Sequence, residues 1–269
     1  MKRYESILRT HFPDWQDRYL TELNSSEFSS HCHNFAQSKG AAIVEIGRGL
    51  ISAMIRYANA MFGLQLISPF NKLADAGLMP DRAEPRKRRL QQESLPAWYQ
   101  AIKSLGPKQR DLLILLAMTG LRRNEGWSIQ RKQVDFVNCV LHIPDTKTAQ
   151  PHSLPLTPLV FELLIRNCEG MGNDQLLFEG VSAEHLSDMA ERAGAPKFML
   201  HDLRKMLATT GEQLGFSDAV LRRILNHKAK KSDTLHRHYV QLSVNDIHNP
   251  LVTIQDRLME LMHNEKKDH

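Results

Sequence analysis

Two arginines, a lysine, two histidines and a tyrosine follow one another through the second half of this 269-residue chain. Arg122 and Glu125 lie in Thr119-Gly120-Leu121-Arg122-Arg123-Asn124-Glu125, directly after an apolar stretch. Lys147 sits in a polar, turn-rich run, and His201 and Arg204 share His201-Asp202-Leu203-Arg204 at the start of a helical pattern. His227 ends Leu225-Asn226-His227, and Tyr239 stands twelve residues further on. These side chains suit phosphoryl transfer to a side-chain nucleophile. An arginine fork binds two nonbridging phosphate oxygens at once, so two arginines can hold a phosphodiester as it gains charge. A phenol, with a reference pKa of roughly 10, needs a base or a hydrogen-bond partner to attack at neutral pH. The leaving alkoxide needs an acid, and a lysine can supply one.

Taken singly, each residue has a plainer reading. Arg122 and Glu125 make an ordinary ion pair three residues apart on a helix face. His201 reads as a cap-region residue, Arg204 as solvated and Lys147 as an exposed turn lysine. The order of the set is what argues otherwise. Tyr239 also stands apart, because the chain's other tyrosines (4, 19, 57 and 99) all precede the arginine motif. Neither His31-Cys32-His33 nor His236 with His238 completes a zinc ligand set, so no metal is expected.

In sequence order, TGLR-x-x-E, TKT, HDLR, LNH and a late tyrosine resemble the tyrosine recombinases, the phage integrase family. The resemblance covers about residues 93 to 245. It implies that Arg122 and Arg204 clamp the scissile phosphate, with Glu125 orienting Arg122. Lys147 then protonates the departing 5′ oxygen, His201 takes or orients the proton of Tyr239, and His227 hydrogen-bonds the phosphate. Tyr239 attacks to leave a 3′-phosphotyrosyl link, so neither ATP, metal nor other cofactor is needed. The implied protein is an integrase of a prophage or genomic island, cytoplasmic and nucleoid-associated, that integrates or excises a mobile element. Its implied partner is double-stranded DNA carrying recombination sites, bound as a homo-tetramer of protomers that are monomeric when free. DNA-bending or excision proteins are implied accessories, and no membrane is. A type IB topoisomerase-like relaxation and a non-catalytic DNA-binding regulator are the alternatives. Three departures stand out: Asn226 where glycine is usual, a long gap from His227 to Tyr239, and Gly126-Trp127 where leucines are common. No arm-binding domain is evident at the N-terminus, which suits a fragment or a short member.

The elements that must position this set are mostly helical. Residues 1–79 read as helix, the strongest pattern running over 42–62 with Ile43, Ile46, Leu50, Met54, Ala58 and Met61 at intervals of three and four. Residues 95–105 and 108–118 follow the same rule, the second ending at Thr119-Gly120. Strands are expected over 134–136, 140–143 and 153–156, the last two forming a hairpin around Lys147. Helix returns after Pro158, with breaks at Gly194, Gly215 and Pro250. The fold class is therefore mainly α: a small helical core-binding domain (1–82), a basic linker (83–92) and a mostly helical catalytic domain with a small antiparallel sheet (93–269). The two would form a C-shaped clamp on duplex DNA. In the tail, Leu251, Ile254, Leu258 and Leu261 predict an amphipathic helix over 252–263. Asn249-Pro250 separates it from the rest, and the resemblance implies a dock on a neighbouring protomer, docking on its own domain being the alternative.

Composition narrows the classes. No apolar run reaches the roughly 18 residues of a membrane helix, and the N-terminus lacks a secretory h-region. Three widely spaced cysteines exclude a disulfide framework and suit a reducing compartment. A net charge of +5 and a pI near 9.1 are only mildly basic. The charge is clustered, however, in Arg86-Lys87-Arg88-Arg89, Arg122-Arg123, Arg222-Arg223 and the lysines near 230. DNA binding should weaken steeply with salt. Neutralising Arg86, Lys87, Arg88 and Arg89 should flatten the log–log slope by about 0.9 for each phosphate they engage. An unchanged slope in a binding titration would make that block a solvated linker.

Overall fold

The structure is a computed structural model, described over residues 2–81, 90–144, 151–227 and 242–264. The basic block from Arg86 to Arg89 lies outside these residues. The chain divides into two compact units, Met1–Arg86 and Lys87–His269.

The first unit carries α1 (Lys2–His11), α2 (Ser26–Ser38), α3 (Ala41–Phe62) and α4 (Pro69–Asp75). Ser25 caps α2 by accepting the Phe28 N–H, and left-handed Gly63 ends α3. The core gathers Phe12, Phe28, Phe35 and Phe70 against α3. On α3 the buried stripe is Val44, Gly47, Ile51, Ile55 and Ala58, whereas Ile43 and Met61 are exposed. The centre of the buried face thus lies beside the expected stripe, of which Ala58 is buried and Ile46, Leu50 and Met54 pack part-buried against the same core. Gly47 is the cause: a Cβ there would stand 2.7 Å from the Phe35 ring, so the glycine makes the hollow that this aromatic fills. A count of apolar residues cannot register a glycine as the most tightly packed position.

The second unit contains α5 (Leu95–Lys103), α6 (Pro107–Thr119), α7 (Arg123–Trp127), α8 (Pro158–Cys168), α9 (Leu186–Arg192), α10 (Leu200–Gln213), α11 (Asp218–Leu225) and α12 (His248–His263). Its sheet has the order β1-β2-β3, built from β1 (Val134–Asp135), β2 (Val140–Ile143) and β3 (His152–Pro155), all antiparallel. Ile143 pairs with His152, so β2 and β3 are paired up to the residues that precede and follow the undescribed 145–150. α6 is the central helix, with Leu112, Leu113, Leu115, Leu116, Ala117 and Met118 all buried and α10 packed along it. Leu90, just before α5, is buried in the same core. No helix among the described residues is long and apolar enough to cross a membrane.

The tail departs from expectation at its start. α12 begins at His248, before Pro250, because a proline in the first helical turn gives up an N–H that has no intrahelical acceptor anyway. The helix also docks on its own domain, against α5, α6 and α10, burying Leu251, Ile254, Leu258 and Met262. Buried Gln255 fastens it there. Its Oε1 accepts from Thr157 Oγ1 at 2.7 Å, and its Nε2 donates to Met118 O at 2.7 Å. A buried amide with both ends satisfied favours this register over a dock elsewhere, where it would have to find new partners. Leu258→Ala should therefore cost about 2–5 kcal/mol in the isolated protein, read from urea midpoints with an unchanged slope. A loss below about 0.5 kcal/mol would place the helix outside the cooperative core.

Candidate active site

Two helix ends build the centre of the site. α6 stops at Gly120, whose φ of 65° is left-handed. Glycine is required there twice over, since a Cβ would also lie 2.6 Å from a Leu225 methyl. α11 stops at Asn226, also left-handed with φ 48°, and the His227 N–H closes the turn on Arg222 O at 3.0 Å. Asparagine is among the few residues other than glycine that visit this region readily, which accounts for it in place of the usual glycine. The carbonyls of Gly120 and Leu225 both point at the Arg204 guanidinium. Nη1 donates to the first and Nη2 to the second. Arg204 is 4% exposed, and burial, then the charge of Arg122, lowers its pKa to about 10. It keeps its proton at neutral pH.

Arg122 is the N-cap of α7. Glu125, 5% exposed, accepts from the Arg122 backbone N–H at 2.9 Å and from its Nη1 at 2.8 Å. One carboxylate therefore both caps the helix and aims the guanidinium, in a buried position rather than on a surface. Gly126 lets α7 approach this closely, for a Cβ there would stand 2.7 Å from Leu116 of α6. Asp202 repeats the device on α10, accepting from the Met199 N–H at 2.9 Å and pairing with Lys205 at 3.3 Å. This cap sets the first turn of α10, which carries His201 and Arg204.

His201 and His227 share the positive field of the arginines. The pKa of His201 is lowered by burial, then by Lys205, Arg204 and Arg122 against the opposing pull of Asp202. That of His227 is lowered by burial, then by Arg204, Arg122, Arg222 and His201. Both rings are accordingly neutral near pH 7, ready to accept or relay a proton. The fold thus gathers Arg122, Glu125, His201, Arg204 and His227 around one point. Lys147 and Tyr239 lie outside the described residues, as do His236 and His238. Among the described residues no group of three or more His, Cys, Asp or Glu side chains is placed to hold a metal.

Two neighbours of the site escape sequence reasoning. His152 on β3 is 4% exposed, with Nε2 against Ile224 O at 3.0 Å and Nδ1 against Arg223 Nη1 at 3.4 Å. Arg223 also donates from Nη1 to Ser153 O at 3.1 Å and from Nε to Leu242 O at 2.9 Å. Strand alternation was the available signal for His152, which shares a face with buried Leu154. Arg223 had none, because beside Arg222 it reads as one more surface cation.

The mainly helical domain with a small antiparallel sheet and an arginine-rich centre is the fold of the lambda-type integrases. The model of the phage integrase family matches residues 88–245, and the chain belongs to that family. It is 28% identical over 238 residues to prophage integrase IntF of Escherichia coli K12, covering 82% of this chain and 50% of that protein. The chain thus spans about half the length of this curated relative. A lambda integrase dimer bound to a COC′ core site superposes with a TM-score of 0.61 at 20% identity, covering 90% of this chain and 91% of that one. A lambda integrase tetramer bound to a Holliday junction gives 0.62 at 19% identity, covering 90% and 74%.

His152 makes stability depend on pH. Its pKa is lowered from 6.5 to about 4, by burial first and then by Arg223. Between those two values the unfolded chain binds the additional proton, so stability is full above the higher one and falls as pH drops towards the lower. At about 1.4 kcal/mol per unit the full loss should approach about 3 kcal/mol below the lower value, with about 2 kcal/mol of it reached by about pH 5. Urea unfolding at about pH 7 and about pH 5 should show it, and His152→Gln should remove most of the difference.

Proposed function

We propose that this chain is a site-specific DNA recombinase that cleaves and rejoins strands through a 3′-phosphotyrosyl intermediate, integrating or excising a mobile element. The observation that carries the reading is the pair Arg122 and Arg204, each pre-aimed by buried partners beside two neutral histidines. Positive groups held together against their mutual repulsion are stabilised by an anion, and more so as that anion gains charge in a transition state. The carbonyls of Gly120 and Leu225 occupy two of the five donors of Arg204, which leaves others for a phosphate oxygen.

In this mechanism Tyr239 Oη attacks phosphorus and its proton passes to His201. The bond to the 5′ oxygen breaks, and Lys147 protonates that oxygen. The bond energy is retained in the phosphotyrosyl ester, so a 5′ hydroxyl from another strand reverses the step and rejoins DNA. His227 hydrogen-bonds the phosphate, while Glu125 keeps Arg122 in line. The proposed partner is double-stranded DNA bearing recombination sites, with a tetramer assembling on two sites from free monomers. The lambda integrase complexes on a core site and on a Holliday junction support that partner and that assembly. DNA-bending or excision proteins complete the proposed set.

The test is covalent trapping. A randomised pool of nicked duplexes is incubated with protein in EDTA and denatured, and protein-linked DNA is recovered and sequenced. The parent should give an adduct, and Tyr239→Phe should bind the same duplex but give none. An adduct that persists in Tyr239→Phe, or one that EDTA abolishes, would overturn the mechanism.

A further inference from the structure

We infer that the buried His152–Arg223 pair is a positioning clamp for the reaction, holding the start of β3 and the backbone at Leu242 against the end of α11. The inference rests on the recombinase reading and deepens it. Neither residue touches the phosphate; both act through the backbone they hold.

The pair joins three stretches of chain at one point. His152 stands five residues after Lys147 in sequence, at the start of β3. Ile224, whose carbonyl meets His152 Nε2, precedes His227 by three residues. Leu242, whose carbonyl accepts from Arg223 Nε, follows Tyr239 by three. The proposed acid, phosphate-binding histidine and nucleophile therefore each lie within five residues in sequence of a group that this pair holds.

Chemistry fixes the orientation of the clamp. Nε2 of His152 meets a carbonyl and must carry the hydrogen, so Nδ1 is left to accept from Arg223. A neutral ring does both at once, and burial beside Arg223 keeps it neutral. Arg223 is itself half-buried, and burial lowers its pKa. An apolar pair of similar volume would fill such a space at no desolvation cost, so the return on burying a cation here is direction. Its planar fork ties Ser153 O and Leu242 O with fixed geometry, which a flexible ammonium does not reproduce. Misplacing a reacting group by about 1 Å can cost roughly 100-fold in rate, so anchors this near the acid and nucleophile bear on catalysis.

The experiment uses the full chain and a nicked duplex recovered from the trapping pool, with oxygen or sulfur at the 5′ bridging position. His152→Phe keeps the ring and loses both hydrogen bonds. It should bind the duplex as tightly as the parent, yet form adduct roughly 10–100-fold more slowly. Sulfur should restore most of that rate, as in Lys147→Ala, because a thiolate leaves without an acid. His152→Gln, which keeps one donor and one acceptor, should recover most of the rate with oxygen. Arg223→Lys should be slow too and only partly restored by sulfur, since it also releases the Tyr239 segment. Should His152→Phe fail to fold, Arg223→Lys is read in its place. Adduct formation at the parental rate, a deficit matched by lost DNA binding, or a deficit indifferent to sulfur would overturn the clamp. An adduct that survives Tyr239→Phe, or a parent that forms none, overturns the recombinase reading itself; a parent that reacts through Tyr239 beside an unaffected His152→Phe overturns the clamp alone.

Discussion

The burial of Arg204 is the constraint on which the site depends. Its guanidinium lies almost fully inside the second unit and donates to the carbonyls that end two helices, at Gly120 and Leu225. A buried cation without partners costs several kcal/mol, so those carbonyls must be present and correctly turned. That requirement reaches back into backbone conformation. Each helix ends in a left-handed residue beside a carbonyl that Arg204 binds, Gly120 in one and Asn226 in the other. The missing Cβ of Gly120 also lets Leu225 approach, so one glycine serves both the turn and the packing. Arg122 leaves the first of these turns and His227 leaves the second, which places them next to Arg204 without further machinery.

The electrostatics follow from this arrangement. Several positive or protonatable groups share a small volume with buried Glu125, which is already paired with Arg122. The histidines answer by staying neutral, a form able to accept or relay a proton. Arg204 keeps its charge because the intrinsic affinity of guanidinium for the proton outlasts burial. A site in this state repels itself until an anion enters it.

The C-terminal helix extends the same logic of satisfied helix ends. In the last turn of α6, Met118 O receives Gln255 Nε2 of α12, and two residues on Gly120 O receives Arg204. The tail thus helps fix the helix end that launches the arginine motif. Its dock on its own domain is a packing result: buried Leu251, Ile254 and Leu258 continue the core formed with α5, α6 and α10.

The chain order of TGLR-x-x-E, HDLR and LNH was enough to suggest phosphoryl transfer, because residue types set chemistry before any fold is known. The end of α6 and the strands were legible for the same local reason: the glycine after α6 and the strand signals of β2 and β3 are short-range rules. Tertiary structure decided what depends on who faces whom. Periodicity found the core-facing side of α3 but not its centre, since only the Phe35 ring shows Gly47 to be an inward position. Nothing local distinguishes Arg204, deep in the core, from the more exposed Arg222, or marks His152 and Arg223 as a buried pair. The tail's amphipathic pattern showed that it must dock but not where, because an apolar stripe carries no address. Thr157 and Met118 O, more than 90 residues away in sequence, supplied it. Burial turns an ordinary side chain into a partner-demanding one, and burial belongs to the assembled fold.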